Sequence, residues 1–221
     1  MDGPSARPHI HSAYYYDDSG NSSYVPQVGF KYRISVQSNG FTSGTLGENK
    51  VAQGHHTIVK NTMGQCADNG ISLYAWPGTV LTHNRIAENT IQNCEGDCLA
   101  LEAGSGAVLT HNEVISNSVS FSMKANGVLL AADQDATVSN NVIRGNLVYR
   151  NAQNGIFLTS GAGHNGIMDN EVQTNNNVGI AVAGDNNLIV GNWAHDNDTF
   201  DLADWGEGNR WPNNTYGTAN W

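Results

Sequence analysis

The chain has 221 residues, with ten Lys and Arg against twenty Asp and Glu and a formal net charge of −10. That length suits one domain with an ample core. The acidic balance excludes a nucleic-acid surface, which needs clustered Lys and Arg, and no apolar run approaches the roughly eighteen residues of a membrane-spanning helix. Composition excludes a helical bundle as well. There are 29 asparagines and 25 glycines, and both are poor helix formers, because Asn bonds its own backbone and Gly loses most backbone entropy. Apolar residues make up 39% of the chain and are spread evenly, which argues against disorder.

The start, Met1-Asp-Gly-Pro-Ser-Ala-Arg-Pro-His9, has no apolar stretch and reads as no signal peptide. Residues 1–48 are predicted to form an N-terminal arm and an irregular first coil. Tyr14 to Tyr24 is a polar, aromatic loop, and Val28-Gly-Phe-Lys-Tyr-Arg-Ile-Ser-Val36 alternates like strands. Residues 49–221 are predicted to be the repeat domain with a closing turn. With no amphipathic helix to cap it, the first coil leaves an open strand edge. This implies either an upstream region or an oligomer partner.

From residue 56 a repeat sets the pattern. Val80-Leu-Thr-His-Asn84-Arg-Ile-Ala-Glu-Asn89, Val108-Leu-Thr-His-Asn112-Glu-Val-Ile-Ser-Asn117 and Thr137-Val-Ser-Asn-Asn141-Val-Ile-Arg-Gly-Asn146 superpose. Their asparagines define two predicted columns, 84/112/141/170/192 and 89/117/146/175/197, with steps of 28, 29, 29 and 22. A second block repeats in phase: Asn69-Gly-Ile-Ser-Leu73, Asp97-Cys-Leu-Ala-Leu101, Asn126-Gly-Val-Leu-Leu130, Asn154-Gly-Ile-Phe-Leu158 and Val178-Gly-Ile-Ala-Val182. Apolar alternation of period two means strands with one buried face. Repeats of 22–29 residues holding several short strands are the arithmetic of an all-β, single-stranded parallel β-helix, here of about six to seven coils. Equivalent asparagines then stack into ladders that satisfy the polar backbone at each bend.

The pattern Asn-x-Ile-x-x-Asn with Asn-Gly-Ile-x-Leu resembles the right-handed parallel β-helix of the pectate-lyase-like superfamily. More narrowly, it is similar to the carbohydrate-binding and sugar-hydrolase repeats of NosD-like proteins and mannuronan C5-epimerases. The resemblance runs over roughly residues 49–218 and implies a right-handed coil, a linear glycan as ligand, and a secreted, extracellular or periplasmic location. Arg7-Pro-His9-Ile-His11 is similar to the Asp-Pro-His motif of the epimerases, with Arg7 in the aspartate position.

Columns convert spacing into neighbours. His55, His83 and His111 precede the first Asn position, and the predicted column continues through Asn140, Asp169 and Gly191. Three imidazoles about 4.8 Å apart read either as a metal or proton-transfer site or as a surface stacking ladder. Asp97 replaces the asparagine of positions 69, 126 and 154, and Glu102 falls where neighbouring coils have Tyr74, Ala131 and Thr159. Glu95 flanks the same turn, Asp68 lies one coil below, Lys124 lies one coil above Glu95, and Tyr74 and Trp76 are close by. Carboxylates beside aromatic rings suit glycan chemistry, with Asp97, Glu102, Glu95 and Lys124 as catalytic candidates and Tyr74, Trp76 and Asp68 as substrate contacts. The plainer alternative is a solvated acidic surface with a Lys124–Glu95 ion pair. Asp133 with Asp135, and His195-Asp-Asn-Asp198 with Asp201 and Asp204, are oxygen-rich candidates for Ca²⁺. Cys66 and Cys94, 28 apart, are predicted neighbours, as a disulfide or as a stacked thiol pair, with Cys98 left over.

Two functions follow. One is an extracellular carbohydrate-active enzyme (lyase, epimerase, or glycosidase or transglycosidase) holding a polysaccharide or oligosaccharide along one face of the coil. The other is a non-catalytic module: glycan- or metal-binding, a surface or tail-fibre spacer, or a NosD-like accessory protein.

Overall fold

The computed structural model describes residues 34–38 and 52–221. His9, His11, the Tyr14–Tyr24 segment and the boundary between residues 48 and 49 lie outside the described residues. Among the described residues the only regular structure is β-strand, every ladder is parallel, and no helix is long and apolar enough to cross a membrane. The chain winds through four sheets in turn, and each of the first four coils adds one strand to each.

Walking one coil from Ala52, sheet 1 takes Ala52–Gly54, sheet 2 Thr57–Val59, sheet 3 Thr62–Gly64 and sheet 4 Ile71–Ala75. Sheets 1 to 4 hold four, six, seven and seven strands. Four coils therefore carry all four strands, and the later ones are three-sided. The fold class is the one expected; the repeat predicts six to seven coils, and complete four-sided turns number four among the described residues. The cause is a shortening of the repeat. Asn112 to Asn141 spans 29 residues, Asn141 to Asn165 spans 24, and Asn165 to Asn187 spans 22. The missing residues come from the segment after sheet 4, so sheet 1 ends at Thr137–Ser139 and leaves only an isolated bridge, Val138 to Ala162. Within the N-terminal region, Ile34–Ser38 forms the outermost strand of sheet 4, paired from Ile34–Ile71 to Ser38–Ala75.

The core is a set of stacked rows. Ile86, Val114, Ile143, Ile167 and Ile189 line sheet 2, and Leu73, Leu101, Leu130, Leu158 and Val182 line sheet 4, all fully buried. β-Branched residues fit a pleated, covered face, and each such side chain contributes roughly 1.5–3 kcal/mol on burial.

Three corners of each coil share one device. A left-handed residue is followed by an inward residue that bonds the next coil. At the corner between sheets 1 and 2 the left-handed positions are His55, His83, His111, Asn140, His164 and Asn186, with φ between 54° and 64°. The inward residues behind them, from Asn84 on, are Asn84, Asn112, Asn141, Asn165 and Asn187, with Asn209 behind the left-handed Gly208, each Oδ1 accepting the amide N–H of the coil before it. A second ladder runs 61/89/117/146/170/192/214 between sheets 2 and 3. A third corner holds Cys66, Cys94, Ser122, Asn151, Asn175 and Asn197, and its asparagines ladder from Asn151 onward.

The asparagine ladders are present, but their predicted membership needs correcting after residue 146. Asn170 and Asn192 continue the 89 column, and Asn175 and Asn197 belong to the third corner. The histidine column likewise continues through His164 and Asn186, while Asp169 and Gly191 belong to the next corner. Cys66 and Cys94 are neighbours, with Sγ 2.7 Å from Sγ, and the three cysteines are free and fully buried.

Candidate functional site

The acidic candidates converge on the segment entering sheet 4. Outward positions of that sheet form rows, and one row pairs Tyr74 with Glu102 and Glu102 with Ala131. Leu73, Leu101 and Leu130 beside them point inward, so strand alternation turns Tyr74 and Glu102 out to the surface. Trp76 stands edge-on to Tyr74 at 5.4 Å and is 43% exposed. Gly104 makes room for this pair: a Cβ there would lie 2.9 Å from the Tyr74 hydroxyl and 3.0 Å from Pro77.

Asp97 sits in a fourth polar column, Asn69–Asp97–Asn126–Asn154, just before the strands of sheet 4. Asn126 donates both its backbone N–H (2.8 Å) and its Nδ2 (2.9 Å) to Asp97 Oδ1, and Asn154 donates to Asn126 in the same way. Asp97 in turn donates its backbone N–H to Asn69 Oδ1 at 2.9 Å. A complete ladder would add a side-chain donor here, and a carboxylate has no hydrogen to give. Asn69 Nδ2 reaches Glu102 Oε2 at 3.5 Å. Asn69 therefore links the Asp97 backbone to the Glu102 carboxylate, its oxygen taking the Asp97 N–H and its amide reaching Glu102. Sequence reasoning missed this bridging role, although the signal was present in Asn69 as the ladder residue next to Asp97.

Burial pushes the Asp97 carboxyl above the ordinary carboxylate range; the bonds from Asn126 pull it back, and the charge of Asp68 pushes it further up. The coil carrying Asp68 approaches closely because residue 96 is glycine. A Cβ there would lie 2.5 Å from Asn69 Oδ1 and 2.9 Å from Asp68 Oδ1. Glu95 accepts an ion pair from Lys124 at 3.2 Å, and Lys124 is 72% exposed, so the pair is a rim contact of small energetic weight.

Asp97→Asn follows as a stability prediction. A carboxyl whose folded pKa is raised binds more protons when folded, so its stability falls as pH rises through that shifted value. Restoring the ladder amide is expected to raise stability at neutral pH by about 1 kcal/mol, the worth of one regained hydrogen bond. The advantage should shrink as the pH falls toward the ordinary aspartate value near 3.9. Thermal melts at neutral and acid pH check this; an equal or lower midpoint for the variant at neutral pH would count against it.

The histidines form a surface stack. His55, His83 and His111 lie ring over ring at 5.1 and 5.3 Å, tilted by 13° and 7°. The Nδ1 atoms of His83 and His111 are 2.9 and 3.0 Å from the hydroxyls of Thr82 and Thr110. Parallel rings aim their nitrogens along parallel lines, which suits one ligand per ring and not one ion shared by three. Among the described residues, no group of three or more His, Cys, Asp or Glu side chains is gathered to hold a metal ion. At the C-terminal end, Asp201 and Asp204 spend their oxygens on protein donors, Asp204 taking Gly206 N, Asn209 Nδ2 and Trp211 Nε1.

This chain belongs to the right-handed parallel β-helix family: the family model described as "Right handed beta helix region" matches residues 17–143. The model described as "Periplasmic copper-binding protein (NosD)" matches residues 97–220, so the chain is a NosD-type β-helix as well. Among solved structures it is similar to the periplasmic alginate epimerase AlgG, at 22% identity and a TM-score of 0.50, over 64% of this chain and 30% of that one. A point mutant of AlgG gives 22% identity and a TM-score of 0.52, over 69% of this chain and 33% of that one. The chain thus spans about a third of the length of the structures it matches, and at this identity the likeness speaks for the fold. None of the curated proteins matches it.

Proposed function

We propose that the outer face of sheet 4 binds a linear glycan and that the protein is carbohydrate-active, outside the cytoplasm, in the periplasm or beyond it. One observation carries the reading: Tyr74 and Glu102 share an outward row, while the ladder beside them holds Asp97 where its neighbours hold asparagine. Aspartate costs that ladder a donor, and a local rule broken inside an otherwise regular scaffold marks a functional position. Tyr74 and Trp76 supply rings for a sugar face. Asp97, raised by burial, is the proton donor, and Glu102 the base or nucleophile. Glu95, Lys124 and Asp68 form the polar rim. The likeness to a periplasmic alginate epimerase and to a periplasmic family supports the substrate class and the location.

Glu102→Gln keeps shape and removes the charge. On a panel of neutral and uronate polysaccharides, the parent is expected to release reducing ends, form unsaturated sugars, or invert C5 stereochemistry. Glu102→Gln should lower the rate at least 100-fold, the size expected for a lost acid or base, and Tyr74→Ala should raise KM. A parent inert toward every polymer, and binding none, would replace the enzyme by the non-catalytic module.

A further inference from the structure

We propose a second glycan-binding platform, on sheet 3, that takes an uncharged linear polysaccharide. It does not rest on the reading of sheet 4. Sheet 3 in the later coils runs through Leu147–Tyr149, Glu171–Gln173 and Trp193–His195 and ends on Thr215–Tyr216. Their central residues, Val148, Val172 and Ala194, are fully buried, so the flanking residues face out. In register these give two outward rows, Leu147–Glu171–Trp193 and Tyr149–Gln173–His195.

Trp193 is 49% exposed and stacks on His195, with ring centroids 4.3 Å apart and planes 28° from parallel. His195 is held by its neighbours. Its Nδ1 is 2.9 Å from Asp196 Oδ2, its carbonyl accepts from Asn197 Nδ2, and its Nε2 is shielded from solvent 4.0 Å from Glu171 Oε1, without a hydrogen bond. One face of the indole is thus held against the protein on a rigid strand while much of the ring stays open to solvent. An indole fixed in this way meets the C–H face of a pyranose with little ordering cost. Gln173 donates to Glu171 at 3.0 Å, which places an amide and a carboxylate beside the ring for sugar hydroxyls. Two coils away, Tyr149 meets Phe121 edge-on at 5.9 Å, and the Arg150 guanidinium lies 5.8 Å over Phe121. An extended polymer lying along the coil axis would place successive sugars on successive coils, about 4.8 Å apart.

Charge selects among polymers. Glu171 is in register with Trp193, Asp196 lies against His195 and the chain carries −10 overall, so a polyuronate is repelled where an uncharged hexose chain is accepted. The test is native electrophoresis of the whole chain through gels holding a mixed-linkage β-glucan, a glucomannan, a galactomannan or sodium alginate. The parent should be retarded in at least one neutral gel. Trp193→Ala should weaken that binding about tenfold or more, and Trp193→Phe should retain it. Unchanged thermal melts separate lost binding from lost folding; if Trp193→Ala melts early, Gln173→Ala carries the same expectation. The proposal is overturned by no retardation in any neutral gel, by retardation in alginate alone, or by full retardation of the Trp193→Ala protein. Loss in Tyr74→Ala with retention in Trp193→Ala would assign binding to sheet 4 instead.

Discussion

Asn117→Ala is expected to destabilise the protein by about 4 kcal/mol, from four hydrogen bonds at roughly 1 kcal/mol each. Asn117 is 2% exposed and sits mid-ladder. Its Oδ1 accepts Asn89 N at 2.9 Å and Asn89 Nδ2 at 3.0 Å, and its Nδ2 donates to Ile86 O and Asn146 Oδ1, both at 3.0 Å. Alanine strips the buried Asn89 N–H of this acceptor and takes one bond each from Asn89 Nδ2 and Asn146 Oδ1, which keep Ile58 O and the Asn117 N–H. A buried donor left without a partner costs more than the mean worth of a hydrogen bond. Three successive coils meet at this residue, so the loss propagates where a hairpin loop would absorb it. Urea unfolding read by circular dichroism measures the change; a loss below about 1 kcal/mol would mean that the ladders decorate a coil held by its apolar rows alone.

Asp201→Ala is the second large effect, expected to cost about 3 kcal/mol or more at neutral pH. Asp201 ends the third ladder. Its Oδ1 accepts Asn197 N and Nδ2, and its Oδ2 accepts Gly217 N, Thr218 N and the Thr218 hydroxyl. This carboxylate ties the closing turn to the last strand of sheet 4, beside the backbone bonds from Asp201 and Leu202 to Thr218 and from Asn220 to Leu202. Burial alone would raise the carboxyl, but the donors from Asn197, Thr218 and Gly217 outweigh it and hold it below the ordinary range. For a depressed acid, the stabilisation is present above the unfolded value near 3.9 and is lost as the pH falls through the folded value. Melts of parent and variant should therefore differ widely at pH 7 and converge in strong acid. Asp201→Asn is expected to lose much of the same stability, because its amide would face the Gly217 and Thr218 N–H groups. A gap that persists unchanged into strong acid would show that packing, and not the carboxylate, holds the turn.

The slip in the asparagine columns has a definite cause. Successive corner asparagines are five residues apart, as in Asn141 and Asn146 or Asn165 and Asn170. The coil shortens by five there, from 29 residues to 24. A repeat read at constant length therefore lands on asparagine again, one corner too far. Hydrophobic alternation cannot break the tie, since Ile143 may pair inward with Ile167 or with Val172 without turning any side chain to the wrong face. The early coils hold no such ambiguity, and there Tyr74 beside Glu102, Asp97 beside Asn126, Lys124 beside Glu95, and Cys66 beside Cys94 follow from spacing alone. The stacking of three histidines was legible for the same reason; the direction of their nitrogens was not, because it depends on the left-handed corner and on the neighbouring threonines.

What the sequence determined by itself is the coil: period-two apolar runs, asparagine recurring at the bends and a repeat near 28 residues leave few other ways to bury one face and satisfy the turns. What only the tertiary structure decided is which residues meet across coils once the repeat changes length. The Asn69 link between Asp97 and Glu102, the Asp201 clasp on the closing turn, and the Trp193–His195 stack on sheet 3 all depend on that register. Register is a long-range property, set by how many residues each coil spends on its loops, and a local pattern with two equivalent alignments carries no information about it.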